Sequence, residues 1–225
     1  MDMPIERRMK NLIQKLRSGD LDDPVRSKGP HDCASYLVDH DPPAGWNYFD
    51  KKTSWSEKWI ISMSLGPWKE DRTQEVMATV LSALKKQPLS KLQRAERLPF
   101  PKLKGDWQWE WTINLSEYLR DIDWSDAGFF SMLKEIEGGG LACRAAIRAI
   151  CGAWGPCKTV DFFIREALYL EVIPIDRHVE RILRSAGLGG LRQEHLIAEC
   201  KRLGVKPQRF ARAVFRAYSP LNEGK

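Results

Sequence analysis

A chain of 225 residues with 43% hydrophobic and 29% charged positions can bury a sizeable core, in one large domain or two small lobes. It contains no apolar run near the roughly 18 residues that a membrane span requires, which excludes a transmembrane protein and predicts a soluble one without membrane contact. The formal net charge of +6 favours polyanionic partners, with nucleic acid first among them.

The N-terminal residues MDMPIERRMKNLIQKLRS place their apolar side chains at helical spacing and lack the apolar core of a signal peptide. They predict an amphipathic helix. Residues 19–53 are rich in Asp, Pro and Gly, which indicates irregular structure. We therefore expect residues 1–53 to be a helix and an irregular segment that pack on a core domain of residues 54–225.

Helical signals dominate the next part of the chain. Ser54 and Glu57 have the form of a capping box that opens a helix, and Gly66–Pro67 ends it. Further helical patterns cover 76–84, a stretch from Ser116, 126–136 and 141–150. The predicted fold class is therefore mostly all-α.

The segment GDWQWEWTINL is the exception to this pattern. Its apolar residues alternate with polar ones, as in a strand. Trp107, Trp111 and Leu115 also share a helical face, but the alternation favours a short extended piece near 106–115 in an otherwise helical protein.

The five cysteines lie at positions 33, 143, 151, 157 and 200, without a C-x-x-C pair. This irregular set fits a reducing compartment better than a disulfide framework, and it contains no strong zinc signal. We therefore predict a cytoplasmic protein that is not secreted and holds no metal, and we also expect it to be a monomer.

The clearest helical pattern is GPCKTVDFFIREALYLEVIPIDRHVERIL, at 155–183. Apolar stripes predict one helix that begins near Lys158 and a second that Gly187 closes. A short helix upstream reaches the turn CGAWGP, so a hairpin at 151–158 joins two helices. Glycines in such a turn let backbone N–H groups converge at a helix N-terminus, where a phosphate binds well.

Lys158 and Asp176 each stand at the start of one of these helices. Asp176 has an ordinary interpretation as an N-cap, and Lys158 as an exposed surface residue. The alternative is that both point into one cleft. An amine can then capture a sugar C1′ as a Schiff base, while a carboxylate stabilises the developing oxocarbenium ion.

Residues 152–188 resemble the helix-hairpin-helix DNA glycosylase superfamily, which contains endonuclease III and the 8-oxoguanine glycosylase/lyases. The family hairpin ends in Gly-x-Lys, matched here by Lys158, and the next loop carries an Asp, matched by Asp176 in the tetrapeptide IDRH. DFFIR at 161–165 is similar to the small type-2 8-oxoguanine glycosylases of archaea and bacteria. The hairpin departs from the family pattern by one extra residue and by Pro156.

The resemblance implies a two-lobed, all-α bifunctional DNA glycosylase/AP lyase of base excision repair, associated with the nucleoid. Its substrate would be double-stranded DNA carrying a damaged or modified base, with 8-oxoguanine as the first candidate, and the base would be flipped out of the duplex. Lys158 would attack C1′ with the assistance of Asp176, and β-elimination would follow. The four-cysteine motif of endonuclease III is absent, so no iron–sulfur cluster is expected. A monovalent cation would bridge the hairpin and DNA.

The same resemblance implies two sets of binding residues. Those for the DNA backbone are Gly152, Trp154, Gly155, Cys157, Arg177, Arg181 and Arg184. Those for the base pocket are Phe162, Phe163, Tyr218 and Lys225. The arginines have an alternative interpretation as a solvated stripe, the aromatic residues as core, and Lys225 as part of a flexible tail. We expect His178 to have a structural role at its helix start.

Two other functions stay open. One is a glycosylase for another modified base, such as a hypermodified phage pyrimidine, in a defence role. The other is a helix-hairpin-helix module that binds DNA without catalysis.

Overall fold

The computed structural model describes residues 3–18, 37, 49, 52–65, 70–101, 106–153 and 158–218, apart from the side chains of residues 70, 71, 178 and 215–218. Within these ranges the chain is helical and contains no strand, which confirms the prediction of an all-α fold. The helices are α1 (Ile5–Ser18), α2 (Trp55–Ser64), α3 (Glu70–Leu84), α4 (Trp107–Asp121), α5 (Asp126–Lys134), α6 (Gly139–Cys151), α7 (Lys158–Ala167), α8 (Arg177–Ser185), α9 (Gln193–Arg202) and α10 (Pro207–Tyr218), with a short 3-10 helix at Leu89–Lys91. None of these described helices has the length and apolarity to cross a bilayer.

The chain divides into two compact units. The central unit is Tyr48–Leu170, and the terminal unit joins Met1–Asn47 to Glu171–Lys225. This division differs from the predicted boundary after residue 53, because the N-terminal helix α1 packs against α9 and α10 from the other end of the chain.

Helix α2 shows how local signals start the central unit. The Ser54 hydroxyl accepts a hydrogen bond from the Glu57 N–H at 3.2 Å, and the Glu57 carboxylate accepts one from the Ser54 N–H at 2.8 Å. This reciprocal pair confirms the predicted capping box. Helix α2 packs on α7, where Trp59 contacts Phe163 with 5.2 Å between ring centroids.

The Trp-rich segment is a helix, so the prediction of an extended piece near 106–115 was wrong. Trp109, Thr112, Ile113 and Ser116 form a buried stripe at helical spacing on α4, which packs against α6 and the 3-10 helix. The alternating pattern did not distinguish strand from helix, because residues four apart lie on the same face of either element.

The terminal unit is built from α1 and α8–α10. The apolar residues of α8, including Val179, Ile182 and Leu183, are buried as predicted. Gly187 closes this helix in a left-handed conformation with φ of 70°, and the Leu188 N–H bonds the Leu183 carbonyl at 2.6 Å. Arg8 from α1 donates to the Gly187 carbonyl at 2.6 Å.

Candidate functional site

The first half of the hairpin is a glycine cap on α6. Gly152 has φ of 67°, which favours glycine because other side chains are strained there. The Ala153 N–H bonds the Arg148 carbonyl at 2.9 Å, while the Arg148 guanidinium donates to the Ala153 carbonyl at 3.2 Å. The chain therefore leaves α6 in a defined direction.

Asn114 of α4 stabilises this turn through a side-chain hydrogen bond. Its amide Nδ2 donates to the carbonyl of Cys151 at 3.0 Å, across 37 residues of sequence. A Cβ added at Gly152 would lie 3.6 Å from the same amide nitrogen. We did not predict this contact, and its only sequence signal is a short polar side chain within a helix, where asparagine is a weak helix former.

The second half of the hairpin, residues 154–157, lies outside the described residues. The predicted phosphate contacts of Trp154, Gly155 and Cys157 fall there, so they stay predictions.

Lys158 is the first residue of α7 and its one exposed residue. Phe162 is half-buried, and the other residues of this helix are buried. Lys158 has no hydrogen-bond or ion-pair partner among the residues that the structure describes. The amine is therefore presented to solvent from a helix that is otherwise held in the interior.

Three buried residues of α7 carry charge, and ion pairs hold them. The Asp161 carboxylate lies 2.9 Å from Nε of Arg144 on α6. The Arg165 guanidinium lies 2.6 Å from the carboxylate of Glu166, its neighbour in sequence. Buried charges need such partners, and a broken pair is strongly destabilising. Of the two pairs, Arg144–Asp161 ties α7, the helix that presents Lys158, to α6.

Asp176 precedes α8 and is half-buried. Its Oδ1 accepts a hydrogen bond from the Val179 N–H at 2.9 Å, and its carbonyl accepts one from the Glu180 N–H at 2.8 Å. The structural interpretation of Asp176 as an N-cap is thus confirmed. Lys158 belongs to the central unit and Asp176 to the terminal unit. That both face one deoxyribose stays a prediction.

Arg177, Arg181 and Arg184 are all exposed, on the face of α8 opposite its buried apolar stripe. Arg184 pairs with Glu180 one turn earlier at 3.1 Å. Exposed pairs of this kind contribute little to stability. The arginines are accessible to an anion, while their contact with DNA stays a prediction.

The structure describes two of the four side chains predicted for the base pocket, those of Phe162 and Phe163. Phe163 is fully buried and lies against Trp59 and Phe130, with a centroid distance of 5.0 Å to Phe130. This burial favours the interpretation of Phe163 as a core residue, while its contact with a flipped base stays a prediction. Phe162 is half-buried and packs edge-to-face with Phe49, with 6.4 Å between the ring centroids. The side chain of Tyr218 and the whole of Lys225 lie outside the described residues.

Metal ligands do not cluster in the part of the chain that the structure describes, where no group of three or more His, Cys, Asp or Glu side chains converges. Burial raises the pKa of the Cys143 and Cys200 thiols to about 12, so both stay protonated near neutral pH. The expected absence of an iron–sulfur cluster and the expected monovalent cation at the hairpin both stay predictions.

Protein-family models, curated proteins and solved structures provide no match to this chain.

Proposed function

We propose that this protein is a bifunctional DNA glycosylase/AP lyase acting on double-stranded DNA. Lys158 is the nucleophile and Asp176 the assisting carboxylate. The excised base is damaged or modified, and 8-oxoguanine is the first candidate. The proposal also places the enzyme in the cytoplasm, at the nucleoid.

The observation that carries this proposal is the exposure of Lys158 at the start of a buried helix. A Schiff-base nucleophile must reach its substrate, hold its position and avoid a permanent ion pair. Lys158 is exposed, without an ion-pair partner among the described residues, and it starts a helix whose remaining side chains are buried or half-buried.

The proposed chemistry begins with a nucleotide flipped out of the duplex, because a stacked glycosidic bond is out of reach. Nζ of Lys158 bonds to C1′, the glycosidic bond breaks, and the base leaves with the bonding electrons and is protonated. The Asp176 carboxylate stabilises the positive charge that develops on the sugar. Opening of the ring and loss of an amine proton give a Schiff base. Removal of a C2′ proton then breaks the C3′–O bond and releases the 3′ phosphate.

Borohydride trapping tests this proposal, because hydride converts the Schiff base into a stable amine that joins protein and DNA. The purified full chain is incubated with duplexes that each carry one lesion, in the presence of borohydride. We expect an adduct with at least one lesion and none for Lys158→Gln. Lys91→Gln is the matched control, since Lys91 is an exposed lysine of the same unit. An adduct that persists in Lys158→Gln would assign the nucleophile elsewhere.

The lesion panel also addresses the first alternative. An adduct with a hypermodified pyrimidine, and none with 8-oxoguanine, would identify a glycosylase for another base in a defence role. The hairpin sequence departs from the family pattern at Pro156 and the Trp-rich segment is divergent, so the resemblance does not determine which base is excised.

The second alternative is a DNA-binding module without catalysis, and the capping role of Asp176 favours it. A residue that serves only as an N-cap needs no substrate. This alternative predicts no adduct with any lesion, and duplex binding that is unchanged in Lys158→Gln and Asp176→Asn.

A further inference from the structure

Two lysines of the central unit contact the same indole ring, that of Trp55. Nζ of Lys58 lies 4.3 Å from the centroid of the Trp55 ring, and Nζ of Lys134 lies 5.1 Å from it. Trp55 and Lys58 are one turn apart on α2, while Lys134 is the last residue of α5. The indole also stacks on Phe130 of α5, with 5.2 Å between centroids and 29° between planes. The ring therefore holds the two ammonium groups at the junction of two helices.

No carboxylate balances this pair among the residues that the structure describes, since neither lysine has an ion-pair partner there. Glu57, the acidic residue next to Lys58, is engaged by Ser54 in the capping box. Both lysines are half-buried. Burial, and then the neighbouring Lys134, lower the pKa of Lys58. Two like charges held together without a counter-ion disfavour each other, and a bound anion would relieve that repulsion.

We propose that Lys58 and Lys134, seated on Trp55, form a binding site for a phosphate group, supplied either by a nucleic-acid backbone or by a free anion. Ammonium groups carry three donors each, and phosphate oxygens point in several directions, so one phosphate bridges donors from two helices. Contact with the indole face adds an attraction for each cation and restricts its position.

This site is separate from the proposed chemistry at Lys158 and does not depend on it. The phosphate site and Lys158 both lie in the central unit, where α2 packs on α7, the helix that Lys158 begins. A backbone phosphate held here would add an anchoring contact that carries no sequence information.

Inorganic phosphate is the first probe. The indole N–H resonance of Trp55, identified by its loss in Trp55→Phe, is followed by NMR as phosphate is added at constant ionic strength, with chloride as the comparison anion. We expect a saturating shift with phosphate and not with chloride. The shift is lost in the double variant Lys58→Gln/Lys134→Gln and kept in Lys91→Gln. A response that is the same for both anions, or that persists in the double variant, overturns the site.

Duplex DNA without a lesion is the second probe, and it distinguishes the source of the phosphate. If the site takes a backbone phosphate, the double variant weakens binding for every sequence and reduces the slope of log K against log salt by about 1. A phosphate-dependent shift of Trp55 with an unchanged DNA slope assigns the site to a free phosphate. Because undamaged DNA is used, the result is independent of adduct formation at Lys158.

Discussion

The carboxylate of Asp176 caps α8 by accepting a hydrogen bond from the Val179 N–H, with 2.9 Å between Oδ1 and N. A carboxylate has about four lone-pair positions, so capping and electrostatic assistance are compatible in one side chain. Replacing the residue in two ways separates the roles.

Asp176→Asn keeps a side-chain oxygen for the cap and removes the charge, whereas Asp176→Ala removes both. Asn and Asp are about equally good N-caps, so we expect Asp176→Ala to cost about 1 kcal/mol of stability and Asp176→Asn clearly less. If the charge assists catalysis, both variants lower single-turnover base excision by about 10²-fold or more. Urea unfolding and excision of the lesion found in the trapping panel measure the two effects. Full excision activity in Asp176→Asn would leave Asp176 as a cap only.

A buried hydrogen bond between Thr112 and Trp59 in the central unit can be compared with an exposed one at Thr79. Its buried hydroxyl accepts the indole N–H of Trp59 at 3.1 Å and donates to the carbonyl of Gln108 at 2.7 Å. Thr112→Val keeps the shape but leaves the indole donor unpaired, at a cost of about 1–3 kcal/mol in the free energy of unfolding. Thr79 on α3 is the control, because its exposed hydroxyl also bonds a helix carbonyl, that of Glu75 at 2.8 Å. Equal effects of Thr112→Val and Thr79→Val in urea unfolding would contradict the role of the buried bond.

The ion pair between half-buried Arg144 and buried Asp161 links α6 to α7 and can be tested by mutation. We expect Asp161→Ala to destabilise the fold by less than the ~3–5 kcal/mol of a fully buried pair, because the half-buried Arg144 loses its carboxylate partner but still reaches solvent. The double variant Arg144→Ala/Asp161→Ala should cost less than the two single changes together. The same double-mutant cycle on the exposed pair Arg72–Glu75 should give a coupling near zero. Similar coupling energies in both cycles would show that burial does not strengthen the inner pair.

Alkaline pH should weaken the fold through the two buried thiols. Burial raises the pKa of Cys143 and Cys200 from 9.0 to about 12, so above pH 9 the unfolded chain loses these protons while the folded chain keeps them. Their contribution to stability is complete below pH 9 and is lost as pH rises towards 12, at a rate of up to about 1.4 kcal/mol per pH unit for each thiol. Urea unfolding between pH 8.5 and 10 measures this slope. The variant Cys143→Ala/Cys200→Ala should show a flatter slope, and an unchanged slope would assign the loss to other groups.

The chain's local chemistry determined the start and end of several helices. The capping box at Ser54, the N-cap at Asp176 and the glycine that closes α8 at Gly187 were all predicted correctly. Each involves atoms within about one helical turn, so neighbouring residues suffice to specify it.

Tertiary packing decided what neighbouring residues leave open. The alternation around Trp109 suits a strand or a helix, and the choice of helix follows from the partners that bury one face of α4. The hydrogen bond from Asn114 to the Cys151 carbonyl joins α4 to α6, and the cation–π contacts of Lys58 and Lys134 with Trp55 join α2 to α5. By itself the sequence determined the helical class, the ends of α8 and the choice of Lys158 and Asp176 as candidates. Only the folded structure decided which side chains are buried, because burial depends on surfaces contributed by distant parts of the chain.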